Sequence, residues 1–220
     1  MSEKRREYQD GCAFAQALDM LGERWALLVV RELVFGPRRF TDLKTALVGI
    51  APTMLSARLS DLEAGGVICR TELPRPARGQ AYALTDWGQE LAPVFTVLGR
   101  WAARNPRLRF GLPLTVSAAV LSLRAMFRGD LAAGVALEIG LELSGEPFCL
   151  RIAAGELTVE PGRATAPMAG VAGEQNLLLG VLYAGQSWAE AEAAGLTLSG
   201  DRAALDTLAR LFPMPEAAGA

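Results

Sequence analysis

The sequence contains no histidine. The commonest general base and a common metal ligand are therefore missing. Carboxylate, lysine or cysteine chemistry stays open, so an enzyme is disfavoured rather than excluded. Lysine is almost absent, at Lys4 and Lys44 only, and arginine supplies the positive charge. Cys12, Cys69 and Cys149 lie far apart and form no CxxC pair, which points to neither a disulfide framework nor a zinc site. Hydrophobic residues make up 51% of the chain, yet no apolar run approaches the roughly 20 residues that span a bilayer. The N-terminus, MSEKRREYQDGCAFAQ, is charged and has none of the apolar stretch of a signal peptide. A soluble cytoplasmic protein with no membrane partner is expected. No catalytic residue, metal or cofactor is assigned.

Strong positive charge is lacking too, since the net charge is −2. Its distribution is uneven: residues 1–104 carry 14 Lys and Arg against 12 Asp and Glu, and residues 105–220 carry 8 against 12. The asymmetry is mild and runs in the direction of an N-terminal nucleic-acid binder.

The first half is mostly helical in rhythm. Phe14, Leu18 and Leu21 mark a first amphipathic helix that stops at Gly22. Arg24 to Phe35 is apolar on most sides, as in a helix buried in a small bundle. Gly36-Pro37 ends it, and a short helix from about Thr41 to Leu47 follows, with Thr41 as its N-cap. Pro52 to Ala64 reads as the next helix, with proline at its first position and Gly65-Gly66 as its stop. Two short β-like runs, Val67–Leu73 and Gln80–Leu84, flank a hairpin tip from Pro74 to Gly79. One last helix is expected after Thr85.

After Pro106 the period changes to two. Leu137, Ile139, Leu141 and Leu143 alternate with Glu138, Gly140, Glu142 and Ser144. Turns at Ser144–Pro147 and Ala154–Glu156 then predict an antiparallel meander. Helical stretches around 116–127, 177–183, 188–194 and 201–212, with a short strand at Leu196–Leu198, complete an α+β half. The expected fold class is α+β, with an N-terminal winged helix-turn-helix followed by a C-terminal α+β domain on an antiparallel sheet. The domains are 1–104 and 113–213, joined by a linker at 105–112.

On a helical wheel the Pro52–Ala64 segment places Ala51, Leu55, Leu59 and Leu62 on one face. Thr53, Ser56, Ala57 and Ser60 lie opposite. Small and hydroxylated side chains let a helix enter a major groove closely and hydrogen-bond to bases or phosphates. Any surface helix carries serines and threonines, so the neighbourhood decides. A short helix, a tight break, this helix and a basic hairpin tip form a winged helix-turn-helix in order. Arg75 and Arg78 at the tip suit phosphates or the minor groove. Arg38 and Arg39, with Thr41, stand beside the motif's first helix. Arg58 lies at the margin of the buried face, open to either a phosphate contact or an ion pair with Asp61.

Several of these runs are similar to HxlR-type winged-helix regulators. Cys12–Trp25 (CAFAQALDMLGERW) looks like the family's opening, and Arg31–Leu43 (RELVFGPRRFTDL) its continuation. Ile50–Glu63 (IAPTMLSARLSDLE) resembles its recognition helix, and Tyr82–Gly88 (YALTDWG) its second wing strand and last helix start. The resemblance covers roughly 10–104. It implies a homodimer acting on double-stranded DNA at paired, pseudo-palindromic half-sites, with Thr53, Ser56, Arg58 and the wing arginines as contacts. Ala13 departs from the proline the family often places after its first cysteine. Some members sense oxidants through that cysteine, which makes Cys12 a candidate redox sensor. A small core residue near a helix start is its other reading.

The dimer also has physical support. Leu91, Val94, Phe95, Leu98 and Trp101, with Trp87, form a stripe more apolar than a terminal helix leaves in water. With Phe14 they are the expected dimer interface. The C-terminal half is similar to the sterol-carrier-like (SCP2-like) domains, through the 137–143 strand, Gly145–Phe148, Gly155–Val159 and Leu196–Leu205. That resemblance implies a small hydrophobic effector, with Phe148, Leu178, Leu182 and Trp188 as the candidate pocket. The same side chains are equally read as core. The expected function is a sequence-specific transcriptional regulator, with repression favoured because it needs only occupancy. The rival is a lipid-binding or carrier protein whose winged helix serves protein contacts.

Overall fold

Seven of the elements form a helical unit closed by a hairpin. A computed structural model of the chain describes residues 8–73, 78–109 and 111–219. The chain divides into two compact units, one ending at Ala92 and the other beginning at Pro93. The linker read from sequence, 105–112, lies further along the chain than this division.

In the first unit α1 (Ala13–Leu21), α2 (Ala26–Leu33), α3 (Phe40–Ala46) and α4 (Pro52–Ala64) precede a hairpin of β1 (Ile68–Glu72) and β2 (Gln80–Leu84). A short α5 (Asp86–Gln89) follows. Val29, Val30, Leu33, Leu43, Leu55, Leu59, Leu62 and Ile68 are almost fully enclosed. Each such side chain contributes about 1.5–3 kcal/mol relative to exposure. The α4 leucines at spacings of four and three therefore commit that helix to one orientation, and its other face must meet water. Gly66, at φ +73°, ends α4 in the left-handed region that favours glycine. Gly88 is buried against the Val67 carbonyl, where a Cβ would collide. Its lack of a side chain lets α5 close on the start of the hairpin.

Three local expectations change. Helix α3 starts at Phe40, so Thr41 lies inside it. The capping position belongs to Arg39, whose backbone N–H donates to the Asp42 carboxylate at 3.1 Å. Ala51 is the exposed N-cap of α4 rather than part of its buried face. The single helix expected after Thr85 is two, α5 and then α6 (Ala92–Ala103). Pro93 has no N–H to continue the ladder from the preceding turn, which is where the break falls.

The second unit contains most of α6, then α7 (Val116–Met126), β3 (Leu137–Leu143), β4 (Glu146–Ala153), β5 (Glu156–Pro161) and β6 (Ala169–Gly173). It closes with α8 (Gln175–Ala184), α9 (Trp188–Ala193), β7 (Thr197–Gly200) and α10 (Arg202–Arg210). Strand order is β5-β4-β3-β6-β7. The expected β3-β4-β5 meander is antiparallel. The sheet as a whole is not, because β6 joins β3 in parallel, from Ile139 opposite Ala169 to Leu143 opposite Gly173. The antiparallel expectation is corrected to a mixed sheet. Strand β6 reads AGVAG, too small and uniform to show alternation.

Register sorts the sheet into two faces. Ile139 lies opposite Leu150 and Ala169, and Leu141 opposite Phe148 and Val171. Leu198 continues that apolar row on β7. Glu138, Arg151, Thr158 and Glu160 fall on the other face. Glu138 holds Arg151 at 2.9 Å and accepts the backbone N–H groups of Thr165 and Ala166, both at 3.0 Å. These donors set the Glu138 carboxyl below the usual range, the Ala166 N–H contributing most. The segment after β5 is thereby tied across the polar face. Helix α6 is bound to α7, whose last carbonyls, Ala125 and Phe127, accept from Arg100 at 3.1 and 3.3 Å. The Arg104 carbonyl accepts from the Ala218 N–H at 2.7 Å. Among the described residues no helix is long and apolar enough to cross a membrane.

Candidate nucleic-acid interface

Helix α4 presents the surface expected of a reading element. Thr53, Ser56, Ala57 and Ser60 are all exposed, opposite the buried Leu55, Leu59 and Leu62. Thr41 is exposed on α3. Met54, 43% exposed, lies on the flank of α4 between Ala57 and Arg58.

The hairpin is fastened to the start of α3 from two sides. Arg38 and Tyr82 exchange backbone hydrogen bonds at 3.0 and 2.9 Å, which adds a one-residue bridge beside β2. The Arg39 guanidinium donates to the Arg78 carbonyl at 2.8 Å. Arg38 and Arg39 are half-buried, and Arg78 is exposed. Arg75 lies outside the described residues. Arg70 went unnoticed in the sequence. It stands opposite Tyr82 in the β1–β2 register, with its guanidinium 5.9 Å from that ring and 3.2 Å from Glu63. Strand alternation was the available signal for that pair.

Arg58 resolves to the intradomain alternative. Its guanidinium lies 3.1 Å from Asp61 and 3.5 Å from Glu23, and its side chain is 14% exposed. Two carboxylates hold it at the margin of the buried face, Asp61 as the ion-pair alternative anticipated and Glu23 in addition. The residues that α4 turns outward are uncharged.

The apolar candidates for a partner face are exposed within the single chain. Phe14 on α1 is 71% exposed. On α6 no residue is buried; Val94, Leu98 and Trp101 are 36%, 46% and 75% exposed, with Phe95 intermediate. Val97, at 68%, belongs to the same helix and was not anticipated. Leu91 is intermediate.

Cys12 is exposed at the N-terminal end of α1. Hydrogen bonding from the Ala15 and then the Phe14 backbone N–H favours its thiolate and lowers the thiol below its ordinary range. The C-terminal pocket candidates are enclosed instead. Phe148, Leu178 and Leu182 are buried, and Trp188 is half-buried at the start of α9.

The order α3, turn, α4 and fastened hairpin is matched in sequence as well. The profile described as HxlR-like helix-turn-helix matches residues 20–108. The HTH-type transcriptional regulator YvaP of Bacillus subtilis is 38% identical over 89 residues, which are 40% of this chain and 82% of YvaP. The chain belongs to the HxlR family. Another relative is the HTH-type transcriptional regulator YodB of Bacillus subtilis, 35% identical over 86 residues, 39% of this chain and 77% of YodB. The solved reduced form of YodB covers 44% of this chain and 97% of its own, at 31% identity and a TM-score of 0.39. Its quinone-bound form covers 40% and 93%, at 31% identity and a TM-score of 0.36. As an HxlR protein the chain is a helix-turn-helix transcriptional regulator, and DNA is its binding partner.

Proposed function

We propose that this HxlR regulator binds a pseudo-palindromic duplex operator as a homodimer and represses by occupying it. Residues 1–104 serve DNA binding and dimerisation, and 113–213 form an SCP2-like module that takes a small hydrophobic effector. The chain has no catalytic role. The observation that carries the reading is the outer face of α4, small and hydroxylated beside the fastened hairpin. Thr41, Thr53, Ser56, Ala57 and Ser60 approach the duplex from the helices, with Arg38, Arg75 and Arg78 as the basic contacts beside them, while Arg39 holds the wing in place. The wholly unburied α6 supports the dimer, because its apolar side chains gain from a partner helix. The effector module rests on the resemblance of the second half to SCP2-like domains, with Phe148, Leu178, Leu182 and Trp188 as the side chains an effector would meet. Such an effector acts only by binding the DNA-competent and incompetent arrangements with different affinity.

The test is to incubate the protein with genomic fragments at about 150 mM salt, where nonspecific phosphate binding is weak, and to sequence what is retained. A few sites sharing an inverted repeat, lost with Ser56→Glu, are expected. Sequence-blind retention by a folded dimer would overturn the reading.

A second reading rests on Cys12, an exposed thiol eased toward thiolate by the first turn of α1. Its relative YodB has been solved in reduced and quinone-bound forms. Oxidative release of DNA through Cys12 predicts that diamide abolishes retention by the native protein and spares Cys12→Ser. Equal loss in both would remove Cys12 from the mechanism.

A further inference from the structure

Specific duplex readout depends on which side chains a recognition helix can bring to base edges. Guanine is read in the major groove by a two-point contact from arginine or lysine, and adenine by asparagine or glutamine. Helix α4 contains no asparagine, glutamine or lysine. Its one arginine, Arg58, is held between Glu23 and Asp61 and is 14% exposed. Neither two-point contact is available from this helix.

What α4 does expose is apolar carbon flanked by hydroxyls. Met54 and Ala57 stand three residues apart, neighbours on one helical face. Thr53, Ser56 and Ser60 border them, each able to make a single hydrogen bond to a base edge or a phosphate. Met54 lies in the first turn of α4, and the N-terminal residues of a recognition helix are the ones that reach bases. An exposed methionine there has no evident use in the fold, since the α4 core contacts come from the leucines. The base-edge group complementary to a thioether and a methyl is the thymine 5-methyl, which distinguishes T from every other base in the major groove.

We propose that this regulator reads thymine methyl groups, with Met54 and Ala57 as its specificity-determining side chains. The operator half-site then carries a thymine-bearing core, and a two-point guanine contact enters only from outside α4. This rests on the DNA-reading role of α4 proposed above, and the experiment separates the two.

Duplexes are selected from a random-sequence library, and each consensus thymine is then replaced by deoxyuridine, which lacks only the methyl. Burying one methyl is worth about a fourfold change in affinity. Substitution at the read position should weaken binding about fourfold, and in both half-sites of a dimer about fifteenfold. Met54→Ala should bind the thymine and deoxyuridine duplexes equally while still unfolding cooperatively, since Met54 is 43% exposed and the α4 core is made by its leucines. Met54→Gln supplies a two-point partner for adenine and should move the preference toward that base. A clear consensus bound equally well with deoxyuridine, or one whose half-site core is guanine, sinks the methyl reading alone. A library with no consensus at all removes the DNA-reading role of α4 and this inference together.

Discussion

Arg39 Nη2 donates to the Arg78 carbonyl oxygen at 2.8 Å, so the residue that opens α3 also holds the chain just before the second strand of the hairpin. Arg39 thereby positions the wing. Replacing it with alanine removes a charge-assisted bond at the surface, worth about 0.5–1.5 kcal/mol. Arg39→Ala should lower operator affinity by roughly three- to tenfold, with the slope of affinity against salt unchanged. Binding titrations at several salt concentrations check this. A slope reduced by about one would make Arg39 a phosphate contact instead.

Arg58 and Ser56 separate stability from reading within two residues of α4. Without Arg58, Glu23 and Asp61 lose their shared cation but stay partly solvated, at 55% and 37% exposure. Arg58→Ala should destabilise the fold by about 1–2 kcal/mol in urea unfolding and leave the salt slope of DNA binding intact. Ser56→Glu should show the opposite pattern, native stability with no specific binding.

In the second unit the Ser122 hydroxyl donates to the Ala119 carbonyl at 2.7 Å, which spends its only proton. The Tyr183 hydroxyl, 3.0 Å away, is therefore the donor to Ser122. Tyr183→Phe leaves Ser122 satisfied and should cost about 1 kcal/mol. Ser122→Ala strands a buried hydroxyl and should cost more, about 1–3 kcal/mol. Equal losses in thermal or urea unfolding would reverse the donor assignment.

Burial holds the Tyr183 hydroxyl above its ordinary range. The unfolded chain ionises near pH 10, while the folded one keeps its proton. This stability is fully present below about pH 10 and is lost as pH rises beyond it. The alkaline limb of the stability curve should be shallower in Tyr183→Phe.

Helix α6 buries no residue of its own, so charges placed on it should spare the fold. Leu98→Asp with Trp101→Asp should give a monomer by sedimentation at concentrations where the native protein is a dimer. Operator affinity should fall with it, since one subunit reaches one half-site. A dimer that persists would exclude α6 from the interface.

Much of this arrangement was legible from residue periodicity. The α4 leucines, the proline at its start and the glycines at its end identify a helix with one apolar and one small polar face. Leu137 to Leu143 identify a half-buried strand in the same way. The misreadings share a cause. Strand β6 hides because glycine and alanine show no alternation, and its parallel pairing with β3 is a long-range choice that no local pattern encodes. Thr41 suited a cap by residue type, yet Asp42 accepts the Arg39 N–H and moves the helix start.

The sequence by itself determined the strongly periodic elements, their apolar faces and the family of the DNA-reading half, because periodicity is a local property of adjacent residues. Only the tertiary structure decided which side chains those faces leave free. Arg58 reaches Glu23 because α4 packs near the end of α1, and Met54 stays outside because the leucines fill the core. A charge finds its partner, and an apolar side chain its exposure, only after distant segments have met.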